Sequence, residues 1–354
     1  MPAISPPAKI LLTGASGYLG TYVVKDLLKR SYIVVGTVRS ASKGDELIKL
    51  FSQYGDRISY VIVEDMAAPN AFDPIIKEGD FDGVAHTASP ISHSSGSTPD
   101  TIIRPAVDGT LNLLNSIKAY GSSVKRFILT SSCGAAQQSE KGNNETTWNE
   151  RILKVYEDKG ADSGHPVLYL ASKILAEKAA IKFVQENSGE IGFDLVSVLP
   201  AWILGAPIFP AESLTQLTST NVVLRMIAQP RSESELDKDA FLIIHAADVA
   251  ALHGEAFGRP DAAGHRIIAA ATDGTWQGFY DALNDEPAFS GVPKGNIGSN
   301  GRPDVGCEGW DNSYAKEILG REFIGLKQTI RETEDYYRSK GWSFFTKQLS
   351  FIVR

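Results

Sequence analysis

The sequence is poor in cysteine: two residues, Cys133 and Cys307, in 354. Two thiols cannot build a disulfide framework, and nothing near them has zinc-ligand spacing, so reduced thiols in a cytoplasmic protein without a metal are expected. No apolar run approaches the length of a membrane span. No Lys- or Arg-rich run marks a nucleic-acid face; the nearest, VKRF at 124–127, is two charges beside an apolar strand. With a net charge of −7, nucleic acid and anionic membranes are poor partners. The first residues, MPAISPPAKI, lack an apolar stretch behind a basic start, and LSFIVR at the other end matches no retention or peroxisomal signal. Internal repeats and long low-complexity tracts are missing too.

What is present is ordinary globular composition, 43% hydrophobic and 22% charged, in a length that fits one large domain or a domain with an appended lobe. Up to residue 200, short apolar runs alternate with helical patterns. AKILLTG (8–14), YIVVGTV (32–38), ISYVIVED (58–65), FDGVAHTAS (81–89), VKRFILTSS (124–132) and FDLVSVLPAW (193–202) read as strands. Helical patterns fall at 18–30, 42–55 with Ser42 as N-cap, 98–120 and 168–188. Strand–helix alternation at this spacing means βαβ units, and strands apolar throughout mean a parallel sheet buried on both faces. After 200 the rhythm breaks into Pro- and Gly-rich sequence, with 229–240 polar and loop-like. The expected architecture is α/β: a doubly wound parallel sheet over 1–200, then a smaller substrate-binding lobe over 201–354, with some segments returning to the sheet.

TGASGYLG carries Gly14, Gly17 and Gly20 directly between the first strand and first helix. Glycines there let the backbone turn tightly, approach a pyrophosphate and pack the helix on the strand, and the helix N-terminus offers free N–H groups. The turn, Gly14, Ser16, Gly17, Tyr18, Leu19 and Gly20, is thus a candidate dinucleotide cradle. An acid at the end of the second strand would select NAD; GTVRSASK has none, and offers Arg39 and then Lys43. A planar guanidinium and a nearby ammonium suit a 2′-phosphate, which points to NADP (as NADPH) rather than to two solvated cations.

The G-x-x-G-x-x-G spacing resembles the extended short-chain dehydrogenase/reductase family, which implies a Rossmann-type fold. LYLASKILAE places Tyr169 and Lys173 four apart, on one face of a helix. Tyr-x-x-x-Lys is that family's catalytic pair. A phenol near pKa 10 is a reluctant acid at neutral pH, and a neighbouring ammonium lowers it. The Lys also bonds the nicotinamide ribose in the family. A serine at the end of the fifth strand completes the set. The family's serine is the second of a pair before a small residue, which selects Ser132 in ILTSSCGAA, with Ser131 as the fallback and Cys133 a bystander.

The likeness extends over about residues 8–340 through GTVRSASK, VEDMAAPNAFD, GVAHTASP, VKRFILTSS, YLASKILAEKAA and IIHAADVAALH. These are similar to the fungal NADPH-dependent aldehyde/ketone reductases of the methylglyoxal/isovaleraldehyde type, related more distantly to dihydroflavonol reductases. The resemblance implies that Asp65 and the backbone of Met66 meet the adenine, although Asp65 could equally cap a turn. It further implies that Thr87, Ala88 and Ser89 line the cofactor, that Pro200, Ile203 and Thr220 lie towards the nicotinamide, and that Asp248 is structural. Ser132, Trp202 and Phe209 are the substrate-pocket candidates. His86 and His93 stand as further candidate contacts, though a loop histidine is more commonly solvated or capping. Trp202 and the stretch 139–166 depart from the relatives. The pocket loops carry no cation cluster for a phosphorylated substrate. The expected activity is hydride transfer to an uncharged aldehyde or ketone, by a monomer or homodimer. An epimerase, dehydratase or steroid-type dehydrogenase, or a non-enzymatic NADP-sensing module, are the alternatives.

Overall fold

β1 (Lys9–Thr13) runs through the middle of the large sheet. In this computed structural model, residues 4–89, 97–138, 142–209, 211–214, 217–238, 242–298 and 309–345 are described, apart from the side chains of 218–222. Chain order continues with α1 (Tyr18–Lys29), β2 (Ile33–Val38), α2 (Ala41–Leu50), β3 (Ile58–Ile62), α3 (Asp73–Gly79), β4 (Gly83–His86), α4 (Pro99–Tyr120) and β5 (Arg126–Thr130). It goes on with α5 (Cys133–Ala136), α6 (Glu150–Lys159), α7 (His165–Glu186), β6 (Asp194–Pro200), β7 (Trp202–Leu204), α8 (Thr218–Ile227) and α9 (Glu233–Leu236). It ends with β8 (Ile243–His245), α10 (Ala246–Gly258), β9 (Arg266–Ala269), α11 (Trp276–Asn284), α12 (Ser313–Leu319) and α13 (Leu326–Ser339).

The large sheet has the order β3-β2-β1-β4-β5-β6-β9, and every pairing in it is parallel. Successive side chains of a strand face opposite sides. Ile10 and Leu12 accordingly join one core with Val23, Val24 and Leu27 of α1 and Val249 and Leu252 of α10. Leu11 joins the other with Leu113 and Leu114 of α4 and Ala180 of α7. Both faces need apolar residues, which is why the strands read as unbroken apolar runs. The strand order reverses beside β1, and in such sheets ligands bind at the carboxyl ends there.

β9 and α10 come from the second half of the chain yet belong to the large sheet and its covering layer. β7 and β8 form a separate two-stranded parallel sheet, and α8, α11 and α13 enclose their own apolar core around Leu224, Phe279, Ile330 and Tyr337. No helix among the described residues is long and apolar enough to cross a membrane.

Several local expectations shift. α2 is capped by Ser40, whose Oγ accepts from Lys43 N at 3.4 Å, rather than by Ser42, which already lies inside the helix. The polar stretch 229–240 includes a short helix, α9, held by a Ser232–Glu235 capping box. The stretch 139–166 contains α6, whose N-cap Asn149 accepts from Ile152 N at 3.2 Å. α7 starts at His165, three residues ahead of the expected 168, because Pro166 suits the first turn.

Candidate active site

The glycine turn follows β1 and opens α1. Gly14 has φ +70°, a left-handed conformation, and a Cβ there would sit 3.0 Å from the Cα of Ala88. A Cβ on Gly20 would fall 2.1 Å from the carbonyl oxygen of Gly14. No side chain fits between strand end and helix. Gly17 is the N-cap of α1 and exposed, with Ser16 and Leu19 half-buried around it. The Tyr18 hydroxyl is spent elsewhere: it donates to Gly205 O at 2.8 Å, and Tyr22 one turn on donates to Ala206 O at 2.6 Å. These two phenols tie the glycine-turn helix to the loop behind Trp202.

The rest of the cradle is local. Thr87 Oγ1 donates to Thr13 O at 2.6 Å and Ala88 N to Thr13 Oγ1 at 3.2 Å, which pins the strand end beyond β4 against Gly14. Ser89 Oγ is buried without a hydrogen-bond partner among the described residues. Arg39 is exposed at the end of β2 and has no ion-pair partner among the described residues. Lys43 pairs with Glu46 at 2.7 Å. Asp65 caps its own turn, accepting from Ala67 N at 2.9 Å, and Met66 O accepts from Asn112 Nδ2 at 3.2 Å. A side-chain-free cradle, an exposed cation just after β2 and a hydroxyl without a partner among the described residues fit a phosphorylated dinucleotide.

His86 is a buried residue of β4, not the loop side chain expected from the sequence, and its Nδ1 meets Thr13 Oγ1 at 2.8 Å. Burial, with a smaller push from Lys173, lowers its pKa to about 3. His253 of α10 is likewise buried, bonded to Thr130 Oγ1 and Val249 O at 2.8 Å each, and burial lowers it to about 4. An unfolded histidine titrates near 6.5. Below that pH the unfolded chain takes up protons the folded chain refuses, so stability falls as pH drops from about 6.5 towards 4. Thermal melts over this window should show a falling Tm, with a shallower fall in His86→Gln; equal slopes would contradict the assignment. His93, Cys307 and the side chain of Thr220 lie outside the described residues.

At the end of β5, Ser131 and Ser132 part company. Ser131 is buried and donates to Glu177 Oε2 at 2.7 Å, so its hydroxyl is committed. Ser132 is half-buried, caps α5 by accepting from Gly134 N at 3.1 Å, and keeps its proton for another acceptor. Cys133 Sγ donates to Leu199 O at 2.9 Å. α7 brings Lys173 to the same strand end, where Nζ donates to Thr130 O at 3.1 Å. Burial lowers the Lys173 ammonium to about 8, with Glu177 acting the other way. Tyr169, one turn earlier, is half-buried, with its ring parallel to that of His165 at 6.5 Å. Its phenol is not lowered by Lys173 as expected; burial carries it up to about 12, while the ammonium is turned to a strand carbonyl. Glu177, invisible as a site residue in sequence, had one signal: it lies four after Lys173.

Pro200 ends β6, buried, and Ile203 is half-buried in β7. Trp202 is 41% exposed at the start of β7. Phe209 is half-buried and packs against the apolar core around Leu224 and Phe279. The stretch 139–166 is stitched to α5: Thr147 Oγ1 donates to Ala136 O at 2.6 Å and Asn149 Nδ2 to Gly134 O at 2.9 Å. Asp248 is structural, fully buried, and accepts from Ile324 N at 2.8 Å while pairing with Arg321 at 2.6 Å. Among the described residues, no group of His, Cys, Asp or Glu could hold a metal ion.

Residues 10–268 match the NAD-dependent epimerase/dehydratase family. The chain belongs to that family. Within this extended short-chain dehydrogenase/reductase group it is 32% identical to an NADPH-dependent methylglyoxal reductase of Saccharomyces cerevisiae, over 92% of this chain and 96% of that protein. It is also 32% identical to a ketoreductase of Aspergillus niger, over 91% and 95%. The structure of yeast methylglyoxal/isovaleraldehyde reductase Gre2 complexed with NADPH superposes with a TM-score of 0.81 at 30% identity, covering 94% of this chain and 99% of that one. Candida albicans Gre2 in complex with NADPH gives 0.80 at 30% identity, with the same coverage. The Rossmann-type architecture is thereby shared over nearly the whole family chain.

Proposed function

We propose that this chain is an NADPH-dependent carbonyl reductase that converts an aldehyde or ketone into an alcohol. The oxidoreductase class and the cofactor rest on the NADPH-dependent relatives and on the Gre2 structures with NADPH. The finer reading rests on one observation: α7, which carries Tyr169, brings Lys173 Nζ to within 3.1 Å of Thr130 O at the end of β5, two residues before Ser132 and at the carboxyl edge that also carries the glycine turn. When bound, NADPH supplies the hydride for the carbonyl carbon. Gly14 to Gly20 would hold its pyrophosphate and Arg39 its 2′-phosphate.

The chain supplies the proton. Tyr169 carries its proton through the neutral range and gives it to the carbonyl oxygen as the hydride arrives; burial, which raises the phenol to about 12, makes it a weaker acid that the reaction has to offset. Ser132 donates a hydrogen bond to that oxygen and fixes its direction. Lys173, one turn along α7, has its Nζ turned to Thr130 O in the resting chain; its ammonium would hold the nicotinamide ribose and would favour the phenolate only on turning towards it. The exposed Trp202 and the absence of a cation cluster in 201–209 favour an uncharged substrate with an apolar substituent.

NADPH consumption against a panel of aldehydes, ketones and diketones tests the reading; no turnover on any of them would sink it. Arg39→Asp should raise the KM for NADPH by about tenfold or more, the loss expected for a charge-assisted phosphate contact, and change that for NADH far less. An unchanged NADPH KM would remove Arg39 from the 2′-phosphate site.

A further inference from the structure

Glu177 is a fully buried carboxylate that the proposed reduction does not use. It joins three elements. From the residue just after β5, Ser131 Oγ donates to its Oε2 at 2.7 Å. From β9, Arg266 donates through Nε to Oε1 at 2.8 Å and through a terminal nitrogen to Oε2 at 3.2 Å. On its own helix, α7, it follows Lys173 by one turn. Arg266 is buried as well. Its other terminal nitrogen donates to Glu145 O at 2.9 Å and Thr147 O at 2.7 Å, and its guanidinium lies 3.7 Å over the Trp148 ring. The same network therefore anchors the stretch 142–149 beside α5.

A buried ion pair is seldom better for stability than apolar side chains of the same volume. Here the charge lies beside a buried ammonium whose hydrogen bond goes to a neutral carbonyl, Thr130 O. Among the described residues, few titratable or charged groups surround Lys173. Tyr169 and Glu177 share its helix, and His86 approaches from β4 as a neutral imidazole. Arg266, from β9, partly offsets Glu177. Of these, Glu177 alone favours the ammonium.

We propose that Glu177 is a positioning residue of the reduction. Through Ser131 and Arg266 it locks the strand end that carries Ser132 against α7, and it holds a countercharge one turn from the Lys173 ammonium. This rests on Ser132, Tyr169 and Lys173 acting together as proposed above.

Glu177→Gln keeps the shape and an acceptor for Ser131 but removes the charge. With saturating NADPH, the alkaline limb of the kcat profile should move towards neutral by about one pH unit, a tenfold weaker hold on the Lys173 proton. Glu177→Asp keeps the charge, so its limb should stay near that of the wild type even if kcat falls at every pH. A role in packing alone would lower kcat or Tm without moving the limb, so an unmoved limb in Glu177→Gln overturns the countercharge. Ser131→Ala removes one hydroxyl and covers the case in which Glu177→Gln does not fold. It should lower kcat about tenfold at unchanged NADPH affinity, and an unchanged kcat overturns the lock. Tyr169→Phe separates the two ideas: if it stays active the reading of the site fails, whereas an inert Tyr169→Phe beside an unmoved Glu177→Gln limb rejects only the inference.

Discussion

Tyr169→Phe should lower kcat/KM for carbonyl reduction by about 10²–10⁴-fold, the usual contribution of a positioned general acid. The substitution removes one oxygen and keeps the ring that lies parallel to His165, so packing around α7 should hold. NADPH binding, followed by fluorescence titration, should stay within about twofold, because the loss belongs to the proton transfer and not to the ground-state complex. The direction of reaction bears on the same group. Burial makes ionised Tyr169 costly in the free chain, so the resting enzyme holds the proton that reduction consumes. Alcohol oxidation by the same site needs that proton gone and should gain more from raised pH than reduction does. Retention of wild-type turnover in the Phe variant would move the acid to another group.

The second large effect is on stability. Arg126 opens β5 and is 1% exposed. Its Nε and one terminal nitrogen form a two-pronged contact with Asp194 of β6 at 2.6 and 2.8 Å. The other terminal nitrogen donates to the carbonyls of Ala256 and Arg259, the latter at 2.6 Å. A guanidinium cannot shed its proton to escape burial. Asp194→Ala would leave it charged, buried and bonded to neutral carbonyls alone, which costs roughly 3–5 kcal/mol. Denaturant unfolding should show a lower midpoint of that size with an unchanged slope. The opposite end of β5 leads into Ser131 and Ser132, so the variant should also lose activity on warming before the wild type does. A loss below about 1 kcal/mol would mean that water reaches Arg126.

What could be read in the chain, and what could not, follows from range. The six strands up to residue 200 were legible because a parallel strand covered on both faces must be apolar at successive positions, as Ile10, Leu11 and Leu12 are in their two separate cores. Gly14 and Gly20 were legible because their constraint is local: a positive φ, and a helix start packed against a carbonyl six residues earlier. Ser40 and Ser42 are both good cap residues two apart, and only the backbone decides which one stands outside the helix. His86 looked like a loop residue because its strand ends in polar sequence; a hydroxyl from β1, 73 residues away, satisfies it inside the sheet.

Residue types and spacing by themselves determined the α/β class, the glycine cradle, the cation in place of an acid after β2, and the Tyr-x-x-x-Lys pair. Each depends on neighbours within about one helical turn or one strand. The tertiary structure alone decided which of two adjacent serines is free, since the one that is not is held by Glu177, 46 residues further along the chain, itself fixed by Arg266. It alone raised Tyr169, packed Phe209 against a core and tied Tyr18 and Tyr22 to the loop behind Trp202. Burial and long-range hydrogen bonding act between elements that meet only after the sheet has formed, and no local pattern encodes them.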